Sequence, residues 1–88
     1  MEKSVTTAEY QVVVQLLREV RTSAGITQVE LAKTLQQTQS FVSKMERGDS
    51  RLDVIQLRTV LAALGSSLPS FVGELEKRLS RRRKNQRR

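Results

Sequence analysis

Apolar side chains return every three or four positions at Tyr10, Val13, Leu17 and Val20, the spacing that turns one face of an α-helix inward. Thr6 or Thr7 caps this stretch, Thr6 with Glu9 as a capping box, and a helix over about 7–23 is predicted. Gly25, Gly48 and Gly65 each close an apolar-periodic stretch where a left-handed helix end is wanted. After Gly25, Thr27 and Glu30 form a T-x-x-E capping box, with Ile26 placed to staple onto Leu31. The next helix therefore begins at Gln28 and turns Leu31, Ala32 and Leu35 inward. Thr38 is a good N-cap for a third helix, ending at Gly48, with Val42 and Met45 inside. Asp53 and Gln56 repeat the capping box and Leu52 can staple onto Leu57, which predicts a fourth helix over about 54–64 with Leu57, Val60, Leu61 and Leu64 on one side. Ser67 caps a fifth, with Pro69 in its first turn and Leu68, Phe71, Val72, Leu75 and Leu79 as its stripe. The apolar period stops at Ser80. With no two-residue alternation, internal repeat or sustained heptad, the expected fold is all-α. It has five helices over residues 1–79, followed by a basic tail over 80–88.

Composition narrows the chemistry. The chain has 88 residues, 38% of them hydrophobic, and Tyr10, Phe41 and Phe71 as its aromatics, so one small aliphatic core is expected. It has neither cysteine nor histidine, which excludes thiolate nucleophiles, imidazole bases and the usual zinc ligand sets. No catalytic residue, metal site or cofactor is expected, and the chain does not read as an enzyme. The N-terminal residues lack a basic segment leading into an apolar run, and stretches such as 12–14 are too short to span a bilayer. A cytoplasmic protein without a membrane partner is expected.

The net charge of +7 is unevenly placed. Residues 1–76 hold eight bases and all nine acids, whereas residues 77–88 hold Lys77, Arg78, Arg81, Arg82, Arg83, Lys84, Arg87 and Arg88 and no acid. That asymmetry points to an anionic polymer, without distinguishing DNA, RNA or a membrane surface.

The helices over 28–35 and 39–47, joined by three residues, have the layout of a helix-turn-helix, whose second helix enters the DNA major groove. With Val42 and Met45 inward, Ser40, Ser43, Lys44 and Arg47 fall on the opposite side of the second helix, and Gln39 lies in its exposed first turn. A groove asks for a bidentate amide for adenine, a hydroxyl, and a cation for guanine or phosphate. Gln39, Ser40, Ser43 and Lys44 supply that set and are the candidate base readers.

The segments LREVRTSAG, TQVELA and QSFVSKMERG, together and at these separations, resemble the Cro and phage-repressor family (XRE-type, lambda-repressor-like) over about residues 10–76. The resemblance implies a lambda-repressor-like DNA-binding domain in which Gln28 binds a backbone phosphate and braces Gln39. It also implies a partly buried ion pair between Arg21 and Glu46, joining the first helix to the end of the third. Arg47, Arg51 and Arg58 are then expected at phosphates. Two positions depart from the family. Gln36 stands where relatives place a left-handed glycine and Gln37 where an apolar residue is common, so a strained or altered turn is expected. Phe41 is lateral on its helix and either packs on the second helix or touches a thymine methyl, packing being favoured.

These readings converge on a sequence-specific regulator that binds double-stranded DNA and acts as a homodimeric repressor on a palindromic operator. No small-molecule effector is evident. Phe71, Val72, Leu75 and Leu79 either pair across the two-fold or close the domain's own core. Arg81, Arg82, Arg83 and Lys84 in the tail are expected at phosphates or an adjacent minor groove. The rival reading is an antitoxin that binds a protein toxin and autoregulates its operon; an enzyme or an RNA-binding domain is disfavoured by the lack of a nucleophile with its base and of an aromatic stacking platform.

Overall fold

The computed structural model describes residues 7–86, with side chains as far as Arg82. Five helices follow one another: α1 (Ala8–Ser23), α2 (Gln28–Leu35), α3 (Gln39–Arg47), α4 (Val54–Ala63) and α5 (Leu68–Gln86). Their boundaries follow local chemistry. Thr7 is the N-cap of α1 and accepts a hydrogen bond from the Tyr10 amide at 3.1 Å. The residue three positions on is therefore Tyr10 and not Glu9; Thr6 lies outside the described residues. Both expected capping boxes form, Thr27 with Glu30 and Asp53 with Gln56, satisfying amides that the first turn of a helix leaves unpaired. Thr38 caps α3 through the Phe41 amide at 3.1 Å.

The turn between α2 and α3 is not altered by the missing glycine. Gln36 itself adopts the left-handed conformation, φ 57° and ψ 43°, and among the described residues it is the one non-glycine with positive φ. The Gln37 amide reaches back to the Ala32 carbonyl at 2.9 Å, closing the helix end as a glycine would. The strain therefore sits on one backbone position.

Packing brings α2 against α3 and α4, α1 against α3 and α5, and α4 against α5. The core joins Leu16 and Leu17 of α1, Leu31 and Ala32 of α2, Val42 and Met45 of α3, Val60 and Leu61 of α4 with Leu64, and Phe71 of α5. Because α1 is flanked by both α3 and α5, its buried arc is wider than the expected stripe: Val14 and Leu16 are buried, and Val13 and Val20 only half-buried. Phe41 is half-buried, packs against the core and lines a groove with Leu35, Leu52 and Ile55. The packing expected of it is therefore present.

Two expectations for the last helix change. Phe71 is 2% exposed and closes the domain's own core, and Leu75 is half-buried and packs against that core. Val72 is exposed and Leu79 half-buried. The helix also continues past Ser80 to Gln86, although its apolar period has ended. Residues 80–86 contain no glycine or proline, arginine and lysine are good helix formers, and cations are favoured at a helix C-terminus.

Candidate nucleic-acid interface

The outward face of α3 is built by burying the other one. Val42 and Met45 are all but solvent-free, which leaves Gln39, Ser40 and Lys44 exposed and Ser43 half-buried on the opposite side. Ala32, 3% exposed, provides a small side chain in the close packing of α2 on α3.

A continuous hydrogen-bonded chain runs from α1 to this face. Arg21 Nε donates to Glu46 Oε2 at 2.6 Å and its Nη2 to Glu46 Oε1 at 3.0 Å, with side-chain exposures of 9% and 4%. Arg21 Nη1 donates to the Ile26 carbonyl at 2.8 Å, tying the pair to the loop before α2. Glu46 Oε1 also accepts from Gln28 Nε2 at 3.0 Å, and Gln28 Oε1 in turn accepts from Gln39 Nε2 at 3.3 Å. The first residue of α2 and the first residue of α3 are thus linked side chain to side chain, through a buried carboxylate to α1.

The remaining candidates separate by surroundings. Arg47 donates to Ser43 Oγ at 2.7 Å and to Asp49 Oδ2 at 3.0 Å, so it is already engaged before any phosphate arrives. As an acceptor in that contact, Ser43 keeps its hydroxyl hydrogen free. Arg51 lies in the α3–α4 loop with its guanidinium 4.9 Å from the Tyr10 ring centroid. The Tyr10 hydroxyl accepts from the Leu52 amide at 3.0 Å and donates to the Ser50 carbonyl at 3.4 Å. Tyr10, read from sequence only as an apolar position, therefore holds the loop that presents Arg51. Arg58 is exposed on α4 and lines a hollow with Ala62, Ser66 and Pro69 at the α4–α5 corner. Arg81 is exposed, 4.0 Å from Glu74, and Arg82 is half-buried. The side chains of Arg83 and Lys84 lie outside the described residues.

Arg78, one of the eight bases of residues 77–88, belongs to the body. It donates to Glu19 of α1 at 2.7 and 3.2 Å and to Glu74 at 3.0 Å. Those hydrogen bonds hold the carboxyls of both Glu19 and Glu74 below the ordinary glutamate value of 4.5, against a smaller opposing effect of burial. They also push the arginine up. The Glu74–Arg78 spacing of four residues is a visible helical pair; nothing in the sequence points to Glu19.

A helix-turn-helix family model matches residues 17–71, which spans α2, the turn, α3 and α4 entire. The chain belongs to the XRE-type, Cro and phage-repressor-like helix-turn-helix family. An XRE-family like protein from Pseudomonas syringae pv. tomato is 44% identical over 80% of this chain and 85% of its own, with a TM-score of 0.75. The clp gene regulator ClgR from Corynebacterium glutamicum is 28% identical over 78% of this chain and 88% of that one, with a TM-score of 0.71. The wild-type restriction-modification controller protein C.Esp1396I, at 22% identity and a TM-score of 0.77 over 86% of this chain and 99% of that one, shares the fold. No curated protein sequence matches this chain. As an XRE-type helix-turn-helix protein the chain is a sequence-specific DNA-binding regulator. Among its described residues no helix is long and apolar enough to cross a membrane.

Proposed function

We propose that this regulator is a cytoplasmic repressor that acts as a homodimer on a palindromic operator, with Gln39, Ser40, Ser43 and Lys44 reading base edges from α3. The observation behind this reading is the brace between Gln28 and Gln39: an exposed glutamine amide held in place is suited to bidentate recognition, whereas a solvated one must first lose its freedom. Gln28 sits at the first position of α2, where helix amides favour an anion, and takes a phosphate with its free amide hydrogen. Arg51 contacts phosphate from the loop that Tyr10 holds. Arg47 does so by exchanging its Asp49 contact, and Arg81, Arg82, Arg83 and Lys84 add contacts from the end of α5. Arg58, exposed on α4, is a further candidate for a phosphate contact.

Homodimerisation follows from information content. A half-site of about four base pairs recurs far too often among roughly a million competing genomic sites for one domain to be selective. With Phe71 in the core, Val72, Leu75 and Leu79 are the positions of the stripe offered for a two-fold contact.

Selection of binding sites from random duplex DNA tests the reading. A palindromic consensus is expected, and absence of any enrichment overturns it. Purification of the chain together with its neighbouring reading frames tests the rival: a co-purifying toxin would make it an antitoxin.

A further inference from the structure

We infer that Glu46 is a positioning residue for base recognition: through Gln28 its carboxylate sets which end of the Gln39 amide faces the groove, so that the site selects adenine over guanine. The inference rests on the proposal that Gln39 contacts a base.

The argument is one of hydrogen-bond polarity. A carboxylate only accepts. Glu46 Oε1 takes one N–H from Arg21 and one from Gln28, each at 3.0 Å. Turning the Gln28 amide over would set its carbonyl oxygen against a largely buried carboxylate, acceptor against acceptor. Gln28 is therefore held with its nitrogen towards Glu46 and its oxygen towards Gln39. That oxygen in turn requires a donor, so Gln39 presents Nε2 to it at 3.3 Å.

Two glutamines alone have a second self-consistent arrangement, with both amides reversed and Gln28 donating to Gln39. Glu46 removes that arrangement. In the arrangement kept, Gln39 has its Oε1 and one N–H free, an acceptor beside a donor, which matches the N6 amine and N7 of adenine. In the reversed arrangement Gln39 would offer two N–H groups, which match O6 and N7 of guanine. Glu46 does this without approaching DNA: its side chain is 4% exposed and gripped by Arg21, which is anchored on the Ile26 carbonyl.

The test is parallel selection from a randomised duplex library with the full chain and its Gln39→Ala, Gln28→Leu and Glu46→Gln variants. Wild type is expected to enrich adenine at one position per half-site, and Gln39→Ala to lose that preference. Gln28→Leu and Glu46→Gln are expected to keep the rest of the consensus while the adenine-to-guanine ratio at that position falls by about tenfold. A Glu46 that served folding alone would weaken all sequences alike and leave the ratio unchanged. Gln28→Leu leaves the Arg21–Glu46 pair intact, so it decides alone if Glu46→Gln does not fold. An unchanged ratio in Gln28→Leu, or in a folded Glu46→Gln, with the preference lost in Gln39→Ala, overturns the relay and spares the base-reading proposal. A Gln39→Ala variant with every preference intact overturns both, and a wild-type preference for guanine at the Gln39-dependent position overturns the relay.

Discussion

Arg21 and Glu46, 25 residues apart, meet through two hydrogen bonds of 2.6 and 3.0 Å with almost no access to water. Removing one partner of such a pair leaves the other charged, buried and unpaired. Glu46→Ala is expected to lower unfolding free energy by about 3–5 kcal/mol, whereas Arg21→Met with Glu46→Leu, which removes both charges, is expected to cost little or nothing. Urea unfolding of both variants checks this; equal losses would mean that the site is sensitive to volume and not to charge.

At Gln36 the backbone is left-handed, at φ 57°, where a side chain costs energy that a glycine does not. Gln36→Gly is expected to stabilise the domain by about 1 kcal/mol. The converse holds at Gly65, φ 76°, where an added Cβ meets nothing within 4 Å. Gly65→Ala is expected to destabilise by a similar amount, about 1 kcal/mol, through the backbone alone. Thermal melts of the two variants moving in the same direction would refute the strain argument.

The contacts of Arg78 with Glu19 and Glu74 make stability depend on acid. Both carboxyls titrate lower in the folded chain than the ordinary 4.5, so between those values the unfolded chain binds more protons. Their contribution is therefore complete above about 4.5 and is lost as pH falls through the lowered folded values. Both groups are well exposed, so the effect is small. Urea midpoints from pH 3 to 7 are expected to fall less steeply on the acid side for Arg78→Met than for wild type; parallel curves would show that the network contributes nothing.

Six positive charges follow Ser80, four of them on a helix that continues to Gln86, while Arg87 and Arg88 lie outside the described residues. If about half of them reach phosphates, truncation after Ser80 will flatten the slope of log affinity against log salt by about 3 per subunit. Specific and scrambled duplexes are expected to lose affinity by similar factors, because α3 is untouched. Coincident slopes for the truncated and full chains would show that this end of α5 stays off the DNA.

Val72 is 47% exposed on α5, beside a core that Phe71 already closes. Val72→Glu is therefore expected to fold normally and to shift sedimentation from dimer to monomer, since a charge is not tolerated in the apolar centre of a two-fold contact. An unchanged mass would move the interface off α5.

What the chain determined by itself is what neighbouring residues decide. A capping box closes within three residues, so Thr27 with Glu30 and Asp53 with Gln56 mark the starts of α2 and α4 directly. The glycines at 25, 48 and 65 have the positive φ their positions required, and the outward set on α3 follows from the 3.6-residue period once Val42 and Met45 are inside. Tertiary structure decided whatever depends on which surfaces meet. Glu19 and Arg78 are 59 residues apart, and no local period relates them. Leu16 is buried because a second helix packs on α1, and Phe71 turned inward because α5 closes on α1 and α4. The resemblance carried Gln28 to Gln39 and Arg21 to Glu46 as separate pairs; their union through one carboxylate oxygen exists because α1, α2 and α3 converge at that point. Backbone hydrogen bonds and caps are satisfied over a few residues and can be read in order, whereas side-chain burial and pairing are settled by the approach of elements distant in the chain.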